Sequence, residues 1–266
     1  MSMTTTTPAG TLATDDVGTG EPALLCIPGW CGDRSVFDPV RAGLSEHRRT
    51  INVDLPDHGG SPGAGSALDT AAVVEAMIEV VNTAGVDRVV PVSLSHAGWI
   101  GIELRRRLGP DRVPALVWLD WMVLGPPPGF LEALAGLQEE ASWSQVRSGL
   151  FAMWTSGIDV AALHSYVDSM GTYGFGHWRR AGREISAAFT AEGSPLAAME
   201  ALAEPCPTLH VYAQPADDAL LTSQQEYAMA KPWFTVRRLA AQSHFPTFEV
   251  PRDIVTAIEE FVCRLP

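Results

Sequence analysis

No run of apolar residues in this chain approaches the length of a membrane span, and the opening "MSMTTTTPAG" lacks the apolar stretch of a secretion signal. Positive charge is scarce. Eighteen Lys and Arg against 31 Asp and Glu leave a formal net charge of −13, which argues against nucleic acid and anionic membranes as partners. Cysteine is scarce too. Cys26, Cys31, Cys206 and Cys263 form no CxxC pair and show no metal-ligand spacing with histidine. They fit a reducing, cytoplasmic setting. There is no Gly-rich dinucleotide fingerprint, no internal repeat, and no low-complexity tract beyond the Thr-rich start. No metal, flavin or nicotinamide cofactor is therefore expected.

What remains is a chain of 266 residues, 46% of them hydrophobic. That is enough for one sizeable core carrying an inserted subdomain. Short apolar runs alternate with helical patterns. Strands are expected over 22–29, 49–56, 87–93, 113–120, 207–214 and 234–240, and helices over 69–85, 97–109 and 253–262. Gly85 has the place of a helix C-cap. The alternation predicts an α/β fold with a mostly parallel sheet and helices on both faces. Between Trp121 and about Ser194 the rhythm breaks. The breaker "GPPPG" (125–129) is followed by helical patterns and no strand. Residues 1–120 and 195–266 are expected to form the core, and residues 121–194 a helical cap.

A sharp strand-to-helix turn lifts a side chain above a sheet when the residues around it are small. "SLSHA" (93–97) has that form, with Ser93 and Ala97 where glycines usually stand and Ser95 at the tip. Upstream, "IPGWCGD" (27–33) follows the first strong strand. The backbone amides of Trp30 and His96 are the candidate donors of an oxyanion hole. "DLPDHGGS" (54–61) reads as a Gly-rich loop, in which His58 has a structural look, as has His210. In "AQSHFPTFEVP" (241–251), His244 lies between the last strand and the last helix, where this scaffold places its base. His47 and His164 read as surface helix positions, and His177 lies in the cap.

The order Ser then His fits an α/β-hydrolase fold. Two places can supply the acid. Asp217 and Asp218 follow the strand at 207–214, and Asp120 ends the strand before the cap. Asp120 sits in "VWLDWMV", where an ionised carboxylate is costly unless paired, which favours a partner such as His244.

Taken together, "PGWCGD", "PVSLSHAGW", "LDWMVLGPPPGF", "GLFAMW", "YGFGHWRRAGREI" and "SHFPTFEVP" resemble the cofactor-free 2,4-dioxygenases of 3-hydroxy-4(1H)-quinolones. That family includes enzymes acting on 3-hydroxy-4-oxoquinaldine and on its 2-heptyl analogue, the Pseudomonas quinolone signal. The resemblance spans roughly residues 20–260. It implies His244 as general base and Asp120 as its orienting acid. It implies that Ser95 binds substrate rather than attacking it, that His96 lines the site, that Trp30 offers backbone groups to the ring, and that Trp154 helps form the pocket. Phe151, Met153, Tyr173, Phe175 and Trp178 are expected among its walls. Leu94 and Gly32 stand where the quinaldine enzyme has histidines, which implies a roomier, more apolar pocket and favours a long alkyl tail.

The implied chemistry needs no cofactor. A 3-hydroxy-4-oxoquinoline is acidic enough for a histidine to deprotonate. Its delocalised anion can itself give an electron to O₂, the second partner. The implied products are an N-acylanthranilate and carbon monoxide, and loss of the 2-heptyl signal would quench the quorum response it carries. The competing readings are an ester or amide hydrolase using Ser95, His244 and Asp217 or Asp120, and a non-catalytic receptor that binds ligand without turnover.

Overall fold

The computed structural model describes residues 2–7, 10–63 and 68–265. Eight strands form one sheet in the order β1-β2-β4-β3-β5-β6-β7-β8. They are β1 (Ser2–Thr7), β2 (Gly10–Val17), β3 (Ala23–Ile27), β4 (Thr50–Val53), β5 (Val89–Leu94), β6 (Leu116–Leu119), β7 (Thr208–Tyr212) and β8 (Phe234–Arg238). β1 pairs antiparallel with β2, and β2 with β4; every other pairing is parallel. β3, β5, β6 and β7 are buried along their whole lengths. That is why they read in the sequence as continuous apolar runs and not as alternations.

The expected mostly parallel sheet is present, and each of the six expected strands has its counterpart. The N-terminal hairpin was not expected. Its second strand carries Asp15 and Asp16, which pair with Arg34 and Arg41 and with Arg49 respectively. Arginines from neighbouring elements thus satisfy a strand too polar to show an apolar period.

α1 (Asp38–His47) and α10 (Pro251–Val262) pack together, as do α2 (Thr70–Thr83) and α3 (Gly98–Arg112). Asp69 caps α2 by accepting from Ala72 N at 2.8 Å, and Gly85 lies beyond its end at φ +63°. Between β6 and β7 run α4 (Phe130–Leu137), α5 (Trp143–Thr155), α6 (Ala161–Met170), α7 (Phe175–Glu192) and the short α8 (Pro195–Glu200). α4 packs on α7 and on α5, and α8 on α3. Polar contacts pin these helices to the core. Tyr173 Oη accepts from Gly59 N at 2.8 Å, Arg180 pairs with Asp57 at 3.0 Å, and Glu184 accepts from Thr70 N at 2.8 Å. α9 (Asp218–Ala230) follows β7. No helix among the described residues is long and apolar enough to cross a membrane.

One close approach positions the functional region. A Cβ added to Gly98, at the start of α3, would lie 2.1 Å from the Trp121 ring. That ring is held edge-on by Trp99 and Trp118, with centroids at 5.0 and 5.1 Å. Alanine is ordinarily the better helix former, but here overpacking decides the sign. Gly98→Ala should cost about 1–3 kcal/mol, lowering the melting temperature by roughly 3–10 °C. Calorimetry of the purified variant checks this, and an unchanged or raised melting temperature refutes it.

Candidate active site

Two residues that follow neighbouring strands both leave them in a left-handed conformation. Ser95 follows β5 at φ +54°, and Asp120 follows β6 at φ +47°. Non-glycine residues adopt this region only where the surroundings hold them there. Asp120 N donates to Val211 O at 2.9 Å, which ties the turn to β7. Asp120 is 3% exposed. Its Oδ2 accepts from Ala213 N at 2.7 Å and Gln214 N at 3.0 Å, and its Oδ1 lies 2.8 Å from His244 Nδ1. A carboxylate oxygen flanked by a ring nitrogen at that distance fixes the tautomer. The proton sits on Nδ1, and Nε2 is the basic atom.

His244 lies in a loop with its own fastenings. Glu249 accepts from Ser243 N at 2.6 Å, and Ser243 Oγ accepts from Phe245 N at 3.2 Å. Trp154, on α5, stacks on the His244 ring with centroids 5.0 Å apart and planes 21° from parallel. Asp120, His244 and Trp154 are therefore brought together. Among the described residues, no hydrogen bond joins Ser95 Oγ to His244.

His96, next to Ser95 in the turn, is 9% exposed. Its Nδ1 accepts from Trp121 Nε1 at 3.1 Å, and its ring stacks on Phe130 at 5.5 Å. Burial, with the nearby His244 charge adding to it, pushes its pKa down to about 3. Trp30 is buried beside the turn, and the neighbouring Gly29 would place a Cβ 3.9 Å from Ser95 Cβ. Trp30 stands edge-on to His58 with centroids at 5.8 Å. His58 is 1% exposed and donates from Nδ1 to Pro56 O at 2.8 Å, and burial lowers its pKa to about 4. His210, on β7, has the structural place expected of it. Its Nδ1 donates to Gln224 Oε1 at 2.6 Å and its Nε2 accepts from Trp121 N at 3.3 Å, while burial lowers its pKa to about 4.

Asp217 and Asp218 are not joined to His244. Asp217 is exposed and caps α9, accepting from Ala219 N at 2.7 Å, and Asp218 pairs with Arg238 at 2.7 Å. Two other expectations need correcting. Met153 is 53% exposed and is no wall. The room expected beside Gly32 is already filled, since a Cβ there would lie 2.2 Å from Tyr166 Oη. Phe175 packs against Trp143, Trp178 is buried against Phe151, and Tyr173 is engaged by Gly59. His47 and His164 are exposed, and His177 contacts Asp57. Two surface hollows of about 410 and 390 Å³ border Asp33 and Gly59. None of His244, Asp120, Ser95, His96, Trp30 and Trp154 lines either, so the hollows are separate from this chemistry. No group of three or more His, Cys, Asp or Glu among the described residues is placed to hold a metal. Sequence reasoning missed Trp121, whose backbone and indole N–H groups reach two different histidines. The signal available was the unusual Trp in "LDW".

A family model described as the alpha/beta hydrolase family matches residues 24–257. The chain is 35% identical to a 2-heptyl-3-hydroxy-4(1H)-quinolone dioxygenase of Mycobacteroides abscessus, over 91% of each chain. It is 29% identical to a 1H-3-hydroxy-4-oxoquinoline 2,4-dioxygenase of Pseudomonas putida, again over 91% of each. A solved structure of an AqdC variant in complex with its substrate, the Pseudomonas quinolone signal, superposes with a TM-score of 0.94 at 32% identity, covering 99% of both chains.

The three buried histidines set the acid limit of the fold. His58, His96 and His210 stay neutral in the native protein down to about pH 4, 3 and 4, whereas in an unfolded chain they take up protons near pH 6.5. Between those values the unfolded state binds more protons, so stability is full above about pH 6.5 and falls as the pH drops toward 4. Each histidine steepens the slope by up to about 1.4 kcal/mol per pH unit. Urea midpoints measured from pH 7.5 to 4.5 should fall below pH 6.5, and the fall should be shallower in His58→Gln. A flat midpoint across the window refutes this.

Proposed function

This chain belongs to the alpha/beta hydrolase family and, within it, to the 3-hydroxy-4(1H)-quinolone 2,4-dioxygenases, and from that premise we propose how its residues act. It cleaves the heterocyclic ring of 2-alkyl-3-hydroxy-4(1H)-quinolones, with the 2-heptyl signal as substrate. The observation that carries the assignment of roles is the 2.8 Å contact between His244 Nδ1 and Asp120 Oδ1, which leaves His244 Nε2 as the base.

His244 Nε2 takes the proton of the 3-hydroxyl. Asp120 holds the ring in the needed tautomer and stabilises the imidazolium that forms. The quinolone anion gives one electron to O₂, the resulting radicals combine at C2, and the C2 peroxide attacks C4. The O–O, C2–C3 and C3–C4 bonds of the resulting bridge then break. C3 leaves as carbon monoxide, and the remainder is an N-acylanthranilate. Both oxygen atoms of O₂ end in that product, so no external electron donor is needed. The amides of Trp30 and His96 face the oxygen on C4 as it gains charge. Ser95 binds the substrate's oxygens, and Trp154 stacks over the base. The alkyl chain gains about 0.8 kcal/mol for each buried methylene, so an apolar wall favours heptyl over methyl. Residues 121–194 act as the cap over this site. Free cysteines and a net charge of −13 support a reducing, cytoplasmic setting with no nucleic-acid partner.

Asp217, the other candidate acid, is occupied at the start of α9. Asp217→Ala should therefore cost about 1 kcal/mol of stability through the lost cap and leave kcat unchanged. Asp120→Asn should lower kcat by roughly 10²–10⁴, as expected when the base loses its orienting carboxylate. Steady-state kinetics of both variants decide the assignment, and the reverse ranking overturns it.

His244→Ala tests the reading as a whole. Mixed anaerobically with the 2-heptyl quinolone, the wild-type protein should develop the red-shifted absorbance of the anion. The variant should bind the neutral ring without that change, barely turn over in air, and regain activity partly as the pH rises. Normal turnover by His244→Ala at neutral pH would falsify the mechanism.

A further inference from the structure

We infer that Trp121 is a positioning residue whose indole N–H fixes His96 in its Nε2–H tautomer, so that a neutral imidazole presents an N–H donor to the oxygen on C4. The inference rests on the reaction proposed above, and it assigns a task to the tryptophan of "LDW" that the base, the acid and the backbone amides leave unexplained.

An indole N–H can only donate. Trp121 Nε1 lies 3.1 Å from His96 Nδ1, so Nδ1 must hold a lone pair and the ring proton must sit on Nε2. His96 Nε2 has no hydrogen-bond partner among the described residues. The residue is 9% exposed, directly after Ser95 in the turn and close enough to His244 to feel its charge. Burial, with His244 adding to it, pushes the His96 pKa down to about 3, which favours the neutral imidazole. This matters because His244 becomes a cation during the reaction. A second cation beside it would oppose that protonation. A neutral N–H donor stabilises charge on the C4 oxygen without doing so.

Trp121 is itself held from three sides. Its backbone N–H donates to His210 Nε2 at 3.3 Å, and His210 is fixed in turn by Gln224 at 2.6 Å. Its ring packs between Trp99 and Trp118, on the space left by Gly98. The residue before it is Asp120. One tryptophan, next in the chain to the acid that orients the base, thus sets the tautomer of the histidine of the turn.

The test is Trp121→Phe, which keeps an aromatic ring and removes the N–H. In the resting wild-type protein with isotope-labelled histidine, nitrogen NMR should show His96 with a bare Nδ1 and a protonated Nε2, the signals being assigned by their loss in His96→Gln. In Trp121→Phe that pattern should give way to a mixture of tautomers. The variant should still form the quinolone anion anaerobically, because His244 and Asp120 are untouched. Its kcat should fall roughly 10- to 100-fold with KM within about three-fold, the signature of a contact made to developing charge. A glutamine side chain donates without any tautomer to fix. Adding Trp121→Phe to His96→Gln should therefore cost less than about three-fold beyond His96→Gln alone.

The inference is overturned if wild-type His96 carries its proton on Nδ1, if it is a cation near neutral pH, or if Trp121→Phe keeps full kcat. It is also overturned if Trp121→Phe costs as much in the His96→Gln background as in the wild type. Should Trp121→Phe fail to fold, the wild-type spectrum alone still decides the tautomer. Failure of the wild-type protein to cleave any quinolone would instead overturn the proposed function, and the tautomer measurement, made without substrate, separates the two outcomes.

Discussion

The active region depends on one buried carboxylate. A buried carboxylate such as Asp120 needs surroundings that replace the water it has lost, and the effective penalty for burying such a charge is several kcal/mol. Three donors meet it, two backbone amides and the imidazole of His244. Bonds to a charged acceptor contribute about 1.5–3 kcal/mol each, so the three together match the penalty. The arrangement costs a further 1–3 kcal/mol or so for the left-handed backbone at Asp120. The balance closes only when β6, the segment after β7 and the loop after β8 are all in register. A histidine is thereby fixed in orientation and tautomer by parts of the chain more than a hundred residues apart.

Such a dyad does not choose its own chemistry. A base with its lone pair aimed above the sheet will take a proton from whichever hydroxyl is placed there. A serine would make the protein an acyl-transfer enzyme, and an acidic substrate hydroxyl makes it an activator of that substrate. Here the base is engaged by Asp120 below and Trp154 above, and holds no hydrogen bond from Ser95. Likeness to quinolone dioxygenases along almost the whole chain, together with an acid at the end of β6, supports the proposed reading, in which the base meets a substrate hydroxyl.

The parts of this arrangement differ in how plainly the sequence carries them. β3, β5, β6 and β7 are buried on both faces, and an apolar run is the direct expression of that. The turn around Ser95 and the loop of His244 are legible because small residues and chain order constrain them. Asp120 stands out because an apolar segment rarely ends in a carboxylate without a partner. β2 is invisible to the same reasoning. Its polar residues answer to Arg34, Arg41 and Arg49, which are partners in space and not neighbours in the chain. The space at Gly32 could not be read either. A missing side chain predicts room only if nothing else enters, and Tyr166 arrives from a helix more than 130 residues away. Met153 fails for a similar reason. An apolar residue in a helical pattern says which helix it belongs to before it says which way it faces, and α5 contains no buried residue at all.

That last fact bears on how the base is covered. α5 brings Trp154 onto His244; its apolar side chains are only partly buried against the core, and specific contacts add to that packing. Gln214 supplies one set. Its backbone N–H donates to Asp120 Oδ2 at 3.0 Å, while its side-chain amide donates to Met153 O on α5 at 3.3 Å and to Gln242 O in the loop of His244 at 2.5 Å. The carboxylate beneath the base, the loop that carries the base and the helix that stacks over it are registered through one residue. Hydrophobic burial cannot provide such registration, because it is non-directional. Directional bonds from a single side chain and its own backbone can, and they help a helix whose side chains are only partly buried to hold the Trp154 ring in stacking distance of the His244 ring.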